Sequence, residues 1–209
     1  ILFFMILSGL KFIFNTAFPN LYTGDKQLLS MTLLRNYRGK KYSDIISTKI
    51  YNEIPKHLLN TTTAINGKTD TFSQIKTRKV LRVGYLPGVV PFSFLNRKGD
   101  LVGYDIQIAY EFALFLNCLK IEFIPVESEW FQNESFEKIL NNRVCDIIMG
   151  PVSINSERMS RMIFSSSYMA LTPAMVVKDY RKKEFTNIKQ INKIKSLKIA
   201  TVKGMIYGS

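Results

Sequence analysis

Residues 145–158 read CDIIMGPVSINSER, and the fold turns on how that stretch is parsed. A short apolar run, Asp146-Ile147-Ile148-Met149, stops at Gly150-Pro151, the pattern of a buried strand closed by a breaker pair. Within the next eight residues come Ser153, Asn155, Ser156, Glu157 and Arg158. Asn155 fits a helix N-cap, with Ser156, Glu157 and Arg158 as the first helical turn. A core strand therefore delivers a hydroxyl, a cap and an arginine in quick succession.

Working outward, VLRVGYL (80–86) predicts a second buried strand, with Gly84 where something approaches closely. Pro87, Gly88 and Pro91 mark a loop, and NRKGD (96–100) is a hairpin turn. Asp105 is expected to cap a helix whose apolar face carries Ile108, Ala109, Phe112, Phe115, Leu116 and Leu119. LKIEFIPV (119–126) reads as an alternating strand, and SFEKILNN (135–142) as a short helix built on Phe136, Ile139 and Leu140. Residues 161–177 suggest one or two further extended segments. Strand, helix, strand, helix, strand is an α/β unit with a largely parallel central sheet and helices on its faces. Such sheets bind ligands beyond the carboxyl ends of their strands, which is where Gly150-Pro151 falls.

The chemistry of that position is specific. Backbone N–H groups at the start of a helix favour an anion. Ser153 adds a hydroxyl, and Arg158 adds a planar fork matched to a carboxylate. Pro151 lacks an N–H, so its carbonyl is what it offers, and a carbonyl suits an ammonium. Carboxylate donors beside an ammonium acceptor describe a receptor for a free α-amino acid. Two readings stay open on the residues alone. In the other, Arg158 is a surface arginine paired with Glu157 or Glu129, and Pro151 merely ends a strand.

Composition bounds the rest. The 209 residues carry a formal charge of +13, distributed unevenly. Residues 1–79 contribute +8, residues 80–177 contribute −2, and residues 178–209 contribute +7. Basic flanks suit nucleic acid or anionic lipid. No basic groove interleaved with aromatics is visible, so a nucleic-acid partner is not expected. His57 is the one histidine, which excludes a His-based catalytic triad and a zinc site resting on several histidines. Cys118 and Cys145 show no metal spacing; two separate buried thiols are expected, with a disulfide between them as the alternative. No metal or cofactor is expected. The stretch ILFFMILSGLKFIFNTAF is about long enough to span a bilayer, though Lys11 and Asn15 interrupt it. Residues 1–20 are expected to be a membrane segment, with the apolar region of a signal peptide or a buried helix as alternatives, and residues 21–78, with the turn-rich run NTTTAINGKTD, a basic linker or poorly defined region.

The run LRVGYLPGVVPFSFLNRKGDLVGYDIQIAYEFALFL, followed by FEKILNNRVCDIIMGPVSINSERMSRMIFSSSYM, resembles the family 3 extracellular solute-binding proteins. These are the amino-acid receptors of bacterial ABC uptake systems. The ligand-binding domains of ionotropic glutamate receptors share their two-lobed fold, the periplasmic-binding-protein type II fold. The resemblance covers about residues 79–209 and rests on an ordered set: the LRVG strand, Pro-Phe, Gly-aromatic-Asp before a helix, then Asp146 and Arg158 twelve residues apart. It implies that Ser153 and Arg158 hold a ligand's α-carboxylate and that the Pro151 carbonyl takes its ammonium. It implies lobe one over residues 79–177, with the hinge crossing and a truncated start of lobe two over 178–209, including a helix and the LKIATV strand. It implies an extracytoplasmic binding protein that serves a transporter permease by closing on its ligand, and the hydrophobic start adds the expectation of a membrane tether.

Two positions depart from the family pattern near the ligand. Val89 stands where an aromatic often precedes the Pro-Phe, and Leu86 where an acid often follows the first strand's glycine. Trp130 is a candidate replacement platform, and Phe92 a further candidate contact. Past the LKIATV strand, Met205 and Ile206 follow Gly204 where hydroxyl residues are usual. The same fold occurs in ligand-sensing receptor domains, in cyclohexadienyl dehydratase-type enzymes and in membrane-bound lytic transglycosylases. Those remain the alternatives, although residues 80–209 show no evident acid/base pair.

Overall fold

A computed structural model describes residues 8–10, 12–13, 24–36, 38–59, 70–126, 135–170, 174 and 176–200. The chain divides into two units, residues 1–152 and 153–209.

In the first unit the elements run α1 (Gly24–Leu29), β1 (Ser47–Ile50), α2 (Lys56–Leu59), α3 (Thr71–Arg78), β2 (Val80–Tyr85), β3 (Phe94–Leu95), β4 (Leu101–Val102), α4 (Tyr104–Phe115), β5 (Lys120–Pro125), α5 (Ser135–Asn141) and β6 (Ile147–Met149). Four strands form a parallel sheet in the order β1-β5-β2-β6, and β3 with β4 makes a separate antiparallel hairpin. The expected α/β class with a parallel sheet is what forms. Leu81, Val83, Ile121 and Phe123 have no exposed surface, because the two central strands are covered on both faces. For the same reason β5 is buried continuously from Ile121 to Pro125 rather than on one alternating face as expected. Its one buried charge, Glu122, is met by Lys120 Nζ at 2.6 Å and Arg82 Nε at 3.3 Å. Burial works against the charged form of Glu122, but Lys120 and Arg82 outweigh it and hold the carboxyl below its ordinary range.

Helix α4 is apolar almost all round, and the sheet takes up only part of the expected face, with Phe112 packed against the core. Ile106, Ala109, Tyr110, Ala113 and Leu116 are buried, whereas Phe115 is 78% and Leu119 71% exposed. A helix with apolar residues on every side carries no single periodic stripe to read. Its cap also differs. Gly103, not Asp105, is the N-cap, and Asp105 lies buried in the first turn. The amides of Tyr104 and Asp105 donate to the carbonyls of Pro91 and Phe92, both at 3.0 Å, so the preceding loop satisfies them. Gly103 sits at φ 131°, and a Cβ there would lie 2.2 Å from the Phe92 carbonyl oxygen, which makes glycine obligatory. The hairpin turn forms as expected: Asn96 Oδ1 accepts from the amides of Lys98 and Asp100, both at 2.9 Å. Gly84 is also where close approach was expected, since a Cβ would meet Cys145 Sγ and Val126 at 3.0 Å.

Residues 21–78 hold more than a linker. Ser47–Ile50 pairs in register with Lys120–Phe123 as an edge strand. Helix α3 is capped by Asp70, which accepts from the Ser73 amide at 2.5 Å, and ends on Lys79 in the left-handed region. Four residues of mixed polarity gave β1 no legible strand pattern; its pairing partner lies 73 residues away in sequence. The NTTTAINGKTD run falls, but for its last residue, outside the described residues, as does most of the hydrophobic start. Among the described residues no helix is long and apolar enough to cross a membrane. Cys118 and Cys145 are both buried free thiols, and burial pushes both up from their ordinary range.

The second unit holds α6 (Ser156–Met159), a 3-10 stretch Asp179–Phe185 and α7 (Ile188–Ile191). The extended segments expected over 161–177 form no strand among the described residues, and neither do residues 197–200 of LKIATV. The rest of that expected strand lies outside the described residues. The short helix expected at the start of lobe two is α7, capped by Asn187 on the Gln190 amide at 3.0 Å.

Candidate functional site

Strand β6 is shorter than the sequence suggested. Cys145 and Asp146 lead into it, Ile147, Ile148 and Met149 are half-buried, and the chain then turns at Gly150. The Val152 amide donates back to the Gly150 carbonyl at 2.7 Å, folding the chain tightly about half-buried Pro151. A Cβ at Gly150 would come within 2.6 Å of Leu86 Cδ1, so the ends of β2 and β6 approach closely. Upstream, Asp146 ties the strand into the sheet: its carboxylate accepts from the Arg82 amide at 2.8 Å and pairs with Arg78.

Phe92 lies in the loop after β2 and is 8% exposed. That loop is internally bonded: Phe92 N donates to Val89 O at 2.8 Å, and Ser93 Oγ to Leu86 O at 2.6 Å. Leu86 is 2% exposed and Val89 half-buried. Trp130 lies outside the described residues.

In the second unit, Asn155 caps α6 as expected, accepting from the Arg158 amide at 2.8 Å. The Arg158 side chain folds back onto Ser153, with Nη1 donating to the Ser153 carbonyl at 2.9 Å and to its Oγ at 2.8 Å. Two residues singled out from the sequence are thus brought together directly. The cap and the side-chain contact are one device: Asn155 fixes the backbone of Arg158, and Ser153 fixes its guanidinium. One nitrogen makes both bonds, and among the described residues the guanidinium makes no other. A guanidinium carries five N–H donors, so its remaining edge is chemically suited to a carboxylate.

The sequence profile of the bacterial extracellular solute-binding proteins, family 3, matches residues 81–199. The chain belongs to that family. Among its curated relatives, a probable histidine-binding protein of Neisseria gonorrhoeae is 32% identical over 117 residues, 56% of this chain and 41% of the relative. A probable amino-acid ABC transporter-binding protein of Haemophilus influenzae is 29% identical over 145 residues, 64% of this chain and 54% of the relative. This member of the family therefore spans about half the length of the curated relatives it matches. Among solved structures, an ancestral cationic amino acid solute-binding protein is 33% identical, covering 48% of this chain and 41% of that one, with a TM-score of 0.43.

The sequence missed the contribution of residues 29–51 to the lobe. The signal available was weak: Tyr42 and Ile46 are apolar and four apart, but Ile45 between them is apolar too, and no chain-local pattern pointed to partners on α4 and β5.

Proposed function

We propose that this chain belongs to an extracytoplasmic receptor that binds a free α-amino acid and delivers it to a transporter permease, with no bond made or broken. The observation that carries the reading is the Arg158–Ser153 pair held behind the Asn155 cap. In this reading Arg158 and Ser153 take the α-carboxylate, and the Pro151 carbonyl takes the ammonium. Phe92 and Trp130 flank the ligand side chain. Residues 79–177 form lobe one, residues from 178 onward lead into lobe two, and closure of the lobes on the ligand stabilises the bound state. Residues 1–20 tether the protein to the membrane. The family membership and the amino-acid receptors among the relatives support this reading.

A thermal-shift panel of the common amino acids and dicarboxylates on the full-length protein tests it. Saturation at 100 times Kd adds about 2.7 kcal/mol of stability, a shift of several degrees. A rise with one or a few α-amino acids supports the reading. A flat response across the panel, with the protein folded, contradicts it.

A further inference from the structure

Residues 29–51 precede the stretch matched to the family, yet they are bonded along the lobe from end to end. The Leu29 carbonyl accepts from the Arg97 amide at 2.9 Å, and the Met31 carbonyl from Asn96 Nδ2 at 3.1 Å, so the segment grips the β3–β4 hairpin. The Leu34 amide donates to Gln107 Oε1 at 3.0 Å on α4. Gln107 Nε2 in turn donates to the Tyr42 hydroxyl, which donates to Glu111 one turn further on. The Tyr42 ring, 3% exposed, stacks on Tyr110 with centroids 4.8 Å apart and planes inclined by 17°. The Tyr110 and Thr48 hydroxyls are 3.0 Å apart. The segment then enters the sheet, the Ser47 amide donating to Leu119 O at 3.0 Å and the Tyr51 amide to Phe123 O at 2.9 Å.

The hairpin and α4 are the two elements between which the Phe92 loop is hung. Its Pro91 and Phe92 carbonyls accept from the first amides of α4, and Gly103 packs directly on the Phe92 carbonyl. We infer that residues 29–51 are a strap that braces the hairpin and α4 and through them fixes the Phe92 loop, with Tyr42 as its positioning residue. That this loop faces a ligand rests on the function proposed above; that the strap holds the loop does not.

Amide hydrogen exchange of the ligand-free, full-length protein separates the two. In the wild type the amides of Leu34, Ser47, Tyr51 and Arg97 exchange slowly. In Tyr42→Ala, exchange accelerates at least about tenfold in the strap and also at Val89, Phe92 and Ser93, while Leu81 and Phe123 in the sheet stay protected. Tyr42→Phe, which keeps the stacked ring, retains most of the loop's protection. Unprotected strap amides in the wild type, or acceleration confined to the strap in the variant, overturns the inference. If Tyr42→Ala loses protection throughout the lobe, Gln107→Ala, which leaves the ring stack intact, is read against the same two outcomes. A protein that binds no amino acid yet shows the spreading pattern would sink the proposed ligand and leave the strap standing.

Discussion

The two units of this chain are held together by different physics. Among the described residues up to 152, a sheet with fully buried central strands is sealed by α4 and the strap around a cluster of buried apolar side chains. In residues 153–200 no described side chain is fully buried, and order comes from local devices: two asparagine caps, a serine–arginine pair and an Arg181–Glu184 ion pair. The packed unit is fixed by many interactions shared among buried side chains. The other places its functional candidate, Arg158, with three hydrogen bonds.

That contrast predicts a steep gradient of mutational effects. Phe123→Ala, at a site with no exposure and edge-on ring contacts to Tyr85 and Tyr110, should cost about 3–5 kcal/mol in urea unfolding. A cost under about 1 kcal/mol would mean the core is looser than described. Gly103→Ala should follow, by about 2–4 kcal/mol, since a Cβ collides with a backbone carbonyl that cannot move without the Phe92 loop. Asn155→Ala should cost about 1 kcal/mol at most, read as faster amide exchange in residues 156–159 with the sheet unchanged, and Asn155→Asp should restore it. An equal effect on sheet amides would erase the distinction between the units.

Glu122 sharpens the comparison through pH. Its folded carboxyl titrates below the ordinary value of 4.5, so the stability it contributes is fully present above that value. As pH falls through the lower, folded value the contribution disappears. In Glu122→Gln the loss of stability between neutral pH and about pH 3 should be visibly smaller than in the wild type. Identical acid profiles would show that Lys120 and Arg82 do not bias the group.

What was legible in the sequence follows the same line. VLRVGYL, the Asn96 turn and the Asn155 cap carry their instructions in neighbouring residues, and each formed where expected. The face of α4 was only partly legible because Phe115 and Leu119, which are exposed, are as apolar as Ile106, Tyr110 and Ala113, and only the sheet distinguishes them. β1 and Tyr42 were missed because their partners are 62 to 73 residues away, where no local period reaches. Ser153 and Arg158 were identified together because five residues separate them across a single cap.

The most direct test is isothermal titration of wild type and Arg158→Ala with whichever α-amino acid stabilises the protein. Charge-assisted hydrogen bonds contribute about 1.5–3 kcal/mol each, so losing a two-point carboxylate contact should weaken binding by at least about tenfold while circular dichroism and melting of the free protein stay unchanged. A variant that binds as tightly as the wild type would remove Arg158 from the ligand site and with it the central claim.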